Sequence, residues 1–136
     1  MAKTIPFKLI TPQAVAFEGE AELVIVVGTE GEEGILAGHA PFLTALRPGV
    51  LRANVVDAGM PQRLEIATSE GFMQALPDRV TVLVDEARNK EQIDAAATQT
   101  ELQEAQERQK SFAPQTPEYA REQSLIDFAK AKLSLV

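Results

Sequence analysis

The chain has 136 residues, no cysteine, and a formal net charge of −7 from 13 basic and 20 acidic residues. That length fits one domain, or one core with an appendage, and the lack of thiols excludes disulfides, thiolate metal sites and cysteine nucleophiles. An acidic chain with no basic cluster has nothing to neutralise a phosphate backbone or an anionic lipid face, which excludes nucleic-acid binding and direct membrane binding. The charge is uneven: residues 1–87 hold six basic and twelve acidic residues, whereas 88–136 hold seven and eight. Apolar runs are a few residues long, well short of the ~20 needed to span a bilayer. The segment from Met1 to Phe7 lacks the zones of a secretory leader. Any membrane link is therefore expected to pass through a partner.

The first 86 or so residues read as β-structure. Ile5-Pro6-Phe7-Lys8-Leu9-Ile10 predicts a short edge strand, with Pro near its start where no ladder donor is needed. Glu22 to Val27 is a nearly unbroken β-branched run, a pattern that fits cover on both faces. Val50–Val56 and Arg63–Thr68 flank Asp57-Ala58-Gly59-Met60-Pro61 and predict a hairpin. Gly71–Leu76 follows, and Pro77-Asp78 turns into Arg79–Val84. Strands this short, with frequent turn signals and no helical stretch between them, predict an antiparallel sandwich.

From Glu86 the period changes. Residues 90–110 contain no Gly or Pro and are rich in Ala, Gln and Glu, which predicts a helix. Asn89 is its expected N-cap, with Gln92 completing a capping box. Ala95, Leu102, Ala105 and Phe112 form a thin apolar stripe. Thr116 then Pro117 starts a second helix, a capping hydroxyl followed by a residue suited to the first turn. Tyr119, Ile126, Ala129 and Leu133 share one face, with Leu125 and Phe128 widening it. The fold class is thus α+β: an N-terminal antiparallel β-sandwich over 1–86, followed by a C-terminal antiparallel two-helix hairpin over 87–136. So thin a hairpin must rest on the sandwich or on another subunit.

Residues that carry chemistry are sparse. Gly28, Gly31, Gly34 and Gly38 suggest a phosphate cradle only until the missing Gly-Lys-Ser/Thr is noticed, and Glu30, Glu32 and Glu33 would repel phosphate. His39 is the only histidine, too little for a metal site. None of Ser69, Ser111, Ser124 or Ser134 has a nucleophile-elbow context. No catalytic residue, metal or cofactor is expected. Two non-enzyme readings remain, a subunit of a larger machine and a free-standing regulatory binding module.

The segment Gly31-Glu32-Glu33-Gly34-Ile35-Leu36-Ala37-Gly38-His39-Ala40-Pro41-Phe42-Leu43-Thr44 separates them. It resembles the signature of the epsilon subunit of F-type ATP synthases (delta in mitochondria), roughly Gly-Glu-x-Gly-Ile-x-x-Gly-His-x-Pro, an apolar pair and Thr. Arg47-Pro48-Gly49, Glu70–Ala75 and Val80–Ala87 continue the likeness, which covers nearly the whole chain. The resemblance implies a non-catalytic rotor subunit. Its sandwich binds the foot of the gamma subunit and the c-ring, and its hairpin regulates hydrolysis by lying on the sandwich or extending toward the alpha/beta catalytic head. It also implies a peripheral place on the cytoplasmic face of a bacterial inner membrane, with the membrane reached only through the c-ring.

By the same resemblance Glu32 and His39 occupy positions facing the c-ring and gamma foot, and Thr11 and Thr44 occupy positions near that interface. Some bacterial members bind ATP through Ile/Leu-Asp-x-x-Arg-Ala and a later Arg. Ile93-Asp94 begins that motif here, but Ala97 stands at the first Arg position and the later one falls near Leu102. No ATP binding is therefore expected.

Overall fold

The computed structural model describes residues 3–136. Nine strands precede two helices: β1 (Ile5–Ile10), β2 (Val15–Gly28), β3 (Gly31–Leu36), β4 (Phe42–Leu46), β5 (Gly49–Asp57), β6 (Met60–Thr68), β7 (Gly71–Leu76), β8 (Arg79–Val84), β9 (Ala87–Arg88), α1 (Ala95–Gln109) and α2 (Pro117–Leu133). The α+β class is as read from the sequence. Pairing is antiparallel except between β1 and β8, which run parallel. One layer is β1-β8-β7-β4 and the other is β3-β2-β5-β6-β9.

The layers are joined through β2. Its first half pairs with β1, its middle with β5, and its last residue, Gly28, with Leu46 of β4. The register shifts between Ala21 and Leu23, a bulge that bends the strand from one layer into the other. Alternation then sets the core. Ile5, Phe7 and Leu9, Val24 and Val26, Leu51, Ala53 and Val55, Met73 and Ala75, and Val80, Val82 and Val84 all face inward and are buried.

Several sequence-based expectations need correction. β2 starts at Val15 rather than Glu22, because the Phe17-Glu18-Gly19-Glu20 stretch is held by its tertiary pairing with β1. The cover on both faces of Glu22–Val27 is partial: Val24 and Val26 are buried, but Leu23, Ile25 and Val27 are only half-buried. The segment from Gly31 to Thr44, to which the sequence pattern assigned no strand, enters two, β3 and β4, with a short connection. The 57–61 hairpin turn is tighter than expected. Asp57 still pairs with Met60, and only Ala58 (φ 52°) and Gly59 (φ 79°) make the left-handed two-residue turn. Strand pairing also runs past residue 86, since β9 pairs with the end of β6.

The first helix begins later than expected. Asn89 and Gln92 do form a capping box, but on a single 3-10 turn, Lys90–Gln92. Ile93 then returns to extended backbone, and Asp94 caps α1 by accepting from the Ala97 N–H at 3.0 Å. This phase turns Ala95 to solvent and leaves Phe112 exposed past the helix end, so the buried stripe is Thr98, Leu102 and Ala105. In α2 the Thr116–Pro117 start is as expected, with Thr116 Oγ1 accepting from the Tyr119 N–H.

Two faces of α2 are used. Ile126 and Ala129 pack on Leu102 and Ala105 of α1, while Phe128 and Ala131 turn to the sandwich and cover Ala67 beside Val50. Phe128 thus lies on a different face from the helix seam, and Leu125 stays exposed. The hairpin is therefore folded down on the outer face of β5 and β6.

Candidate functional site

Outward-facing residues of the β1-β8-β7-β4 layer follow from the pleat. Strand registers align Ala45 with Phe72, Phe72 with Leu83, and Leu83 with Ile10. One apolar row therefore crosses all four strands on the outer face. Phe72 is 56% exposed and Leu83 51%, and Leu43, diagonal to Phe72 on β4, is 69% exposed. The next row, Leu43-Gln74-Thr81-Lys8, is mostly polar. Apolar side chains in contact across strands and open to water form a patch of the kind that marks a docking surface.

The four residues singled out in the sequence do not form one cluster. Thr11 follows Ile10 at the end of the apolar row, where its N–H donates to the Ala14 carbonyl at 2.9 Å and its hydroxyl to the same oxygen at 3.2 Å. Glu32 lies in β3 just past the Thr29–Glu30 turn, which meets β4 through the Thr29 N–H and the Ala45 carbonyl at 3.1 Å. That places Glu32 near the same end of the molecule. Its carboxylate is not free, because it pairs with Arg52 of β5. Neither partner of this half-exposed pair gains much from it.

His39 sits at the opposite end of β4. The neighbouring Gly38 N–H donates to the Pro77 carbonyl at 3.2 Å. His39 Nδ1 lies 2.8 Å from the Ala40 carbonyl, so Nδ1 is the protonated nitrogen, and the ring stands 5.0 Å from that of Phe42. Thr44 shares the inward parity of Phe42 and Leu46. It is half-buried, with its hydroxyl donating to the Ala45 carbonyl at 3.3 Å. Sequence reading missed Leu43, Phe72 and Leu83. The signal was their parity, since each is a large apolar residue at an outward position of a strand whose inward positions are mostly apolar already.

A cleft of about 430 Å³ lies between the hairpin and the sheet edge. Ala97 lines it, whereas Leu102 points away into the helix seam. Its three cations are all engaged by carboxylates. Arg88 pairs with Glu86 at 3.1 Å and Lys132 with Glu101 at 2.9 Å. Arg108 forks onto both oxygens of Glu122 at 3.0 and 3.1 Å. That hydrogen bond, with the nearby charges of Glu122 and Glu104, raises the Arg108 pKa above its ordinary value against a smaller lowering by burial. Among the described residues no group of three or more His, Asp or Glu converges as metal ligands. Among them too, no helix is long and apolar enough to cross a membrane.

Comparison with known proteins adds the following. Residues 4–90 match the family model for the ATP synthase delta/epsilon chain β-sandwich domain. An ATP synthase epsilon chain from Magnetococcus marinus is 35% identical over 134 residues, covering 98% of this chain and 95% of the relative. One from Desulfosudis oleivorans is 38% identical over 111 residues, covering 82% and 81%. Among solved structures, a chain of the Euglena gracilis mitochondrial ATP synthase superposes with a TM-score of 0.76 at 22% identity, covering 96% of this chain and 79% of that one. A chain from the central stalk and c-ring of the Tetrahymena thermophila enzyme does so at 0.60 and 15%, covering 96% and 97%.

Proposed function

The chain belongs to the ATP synthase delta/epsilon family, a non-catalytic subunit by family name, and we propose that it works as the rotor piece that links a gamma-type subunit to the c-ring. What supports this reading is the apolar row on the outer face of the β1-β8-β7-β4 layer, with Phe72 and Leu83 exposed in it and Leu43 exposed beside it. The gamma-type subunit is its occupant in this proposal. Glu32, His39, Thr11 and Thr44 stay assigned to the rotor contacts, with Thr11 and Glu32 near one end of that face, His39 at the far end of β4 and Thr44 beneath Leu43. Residues 1–86 are assigned rotor binding and 87–136 regulation, with the hairpin in its folded-down state. The chain sits at the cytoplasmic face of a bacterial inner membrane and reaches it only through the ring.

Co-expression with the gamma-type subunit of the same enzyme tests the link. The two copurify, and replacing Leu43 and Phe72 together by Ser costs about 2 kcal/mol or more of binding, as truncation of central apolar anchors does. Full copurification of that variant at high dilution would end the assignment of this face.

The same reading includes no nucleotide site. The cleft beside Ala97 holds Glu86, Asp94, Glu101 and Glu104 against three cations that are already paired, so a triphosphate meets net negative charge. Calorimetric titration of the isolated chain with ATP is expected to give a dissociation constant no tighter than roughly millimolar. Saturable heat in the micromolar range would refute it.

A further inference from the structure

Resting on the partner reading above, we infer that the Gly71 end of the apolar row is a socket for one kind of segment on that partner: an aliphatic or aromatic side chain next to a lysine or arginine. A cleft of about 570 Å³ opens there. Ile10, Phe72 and Leu83 give it an apolar floor, and Glu70 and Asp85 stand on its rim. No lysine or arginine lines it.

The two acids are held side by side by the backbone. The Asp85 N–H donates to the Glu70 carbonyl at 3.3 Å, and the next N–H, of Glu86, donates to Ser69 Oγ at 2.8 Å. Among the described residues neither carboxylate forms an ion pair. Unpaired carboxylates at the edge of an uncovered apolar floor are complementary to a segment that brings an apolar anchor and a cation together. A segment of like charge is repelled, and a purely polar one leaves Phe72 and Leu83 wet. Gly71 fits this placement, because its lack of a side chain lets β7 lie close against β8 beneath Phe72.

The test measures binding of the full-length chain to the purified gamma-type subunit at two salt concentrations. Three proteins are compared: wild type, Phe72→Ser, and the isosteric pair Glu70→Gln with Asp85→Asn. Thermal melts confirm that each is folded. Phe72→Ser is expected to lose about tenfold in affinity with the salt dependence kept. The amide pair is expected to lose about three- to tenfold, mainly through slower association, with a flatter salt dependence. If the amide pair matches wild type in both, the cation part of the inference is wrong. If both variants match a wild type that binds, the socket is elsewhere while the partner reading stands. If wild type does not bind the gamma-type subunit at all, the partner reading falls and takes the socket with it.

Discussion

Replacing Gly71 with alanine is expected to destabilise the fold by about 3 kcal/mol, the upper range for forcing atoms into a packed site, and to lower its melting temperature by roughly 10 °C. A Cβ at Gly71 would lie 1.9 Å from the Leu83 carbonyl oxygen and 2.8 Å from both the Leu83 carbonyl carbon and the Val84 Cα. All three are backbone atoms, so no side-chain rotation relieves the clash. Only separation of β7 from β8 does, and that breaks the ladder under the apolar row. The reason is space rather than handedness, since Gly71 is not among the glycines with positive φ. Gly34→Ala is the control. The Cβ added there meets only Leu23 Cδ1, at 3.6 Å, so its melting point should stay close to wild type. Equal melting points for the two variants would contradict the close approach of β7 and β8.

Phe128→Ala should undock the hairpin while leaving the sandwich folded. Phe128 is 5% exposed and is the one large side chain that α2 buries against the sheet, alongside Ala131 and over Ala67. Lys132 Nζ stands 4.6 Å over its ring and also holds Glu101 of α1, so the ring anchors both helices. Truncating a buried Phe costs about 3–5 kcal/mol. Here the loss falls on a local opening rather than on the global transition. Hydrogen exchange of α2 amides should accelerate by roughly a hundredfold or more, the kinetic equivalent of about 3 kcal/mol, with the amides of β1, β2 and β8 unchanged. Equal acceleration in those strands would mean that hairpin and sandwich unfold as one unit.

How much of this was legible in the sequence depends on whether the signal was local. Thr116 and Pro117 marked the start of α2 because capping acts within three residues. Asn89 also spoke truly, but it competed with Asp94 five residues on. The extended Ile93 between them decided for Asp94 as the cap of the long helix. Glycines hid β3, because Gly34 reads as loop until β2 is known to pair with it. The site divides the same way. Glu32 and His39 stood out by their places in a distinctive motif. Arg52, twenty residues away, is what neutralises Glu32, and only the β2–β3–β5 register brings them together. The apolar row is assembled from four strands and exists in no single stretch of chain. Its trace was parity: Phe72 stands between Gly71 and the inward Met73, and Leu83 between Val82 and Val84.

The bulged path of β2 has a mechanical consequence. A sandwich whose layers touch only through apolar side chains resists sliding weakly, because such contacts have little directional preference. Here a single covalent strand is stitched to β1 along its first half, to β5 at its middle and to β4 at its last residue. A twisting load applied to one outer face and resisted at the other must therefore shear rows of backbone hydrogen bonds or stretch the chain itself. The body between the two loads behaves as a stiff key, and the compliance of the molecule is left to the hairpin, held to that body by one aromatic ring and a few small residues.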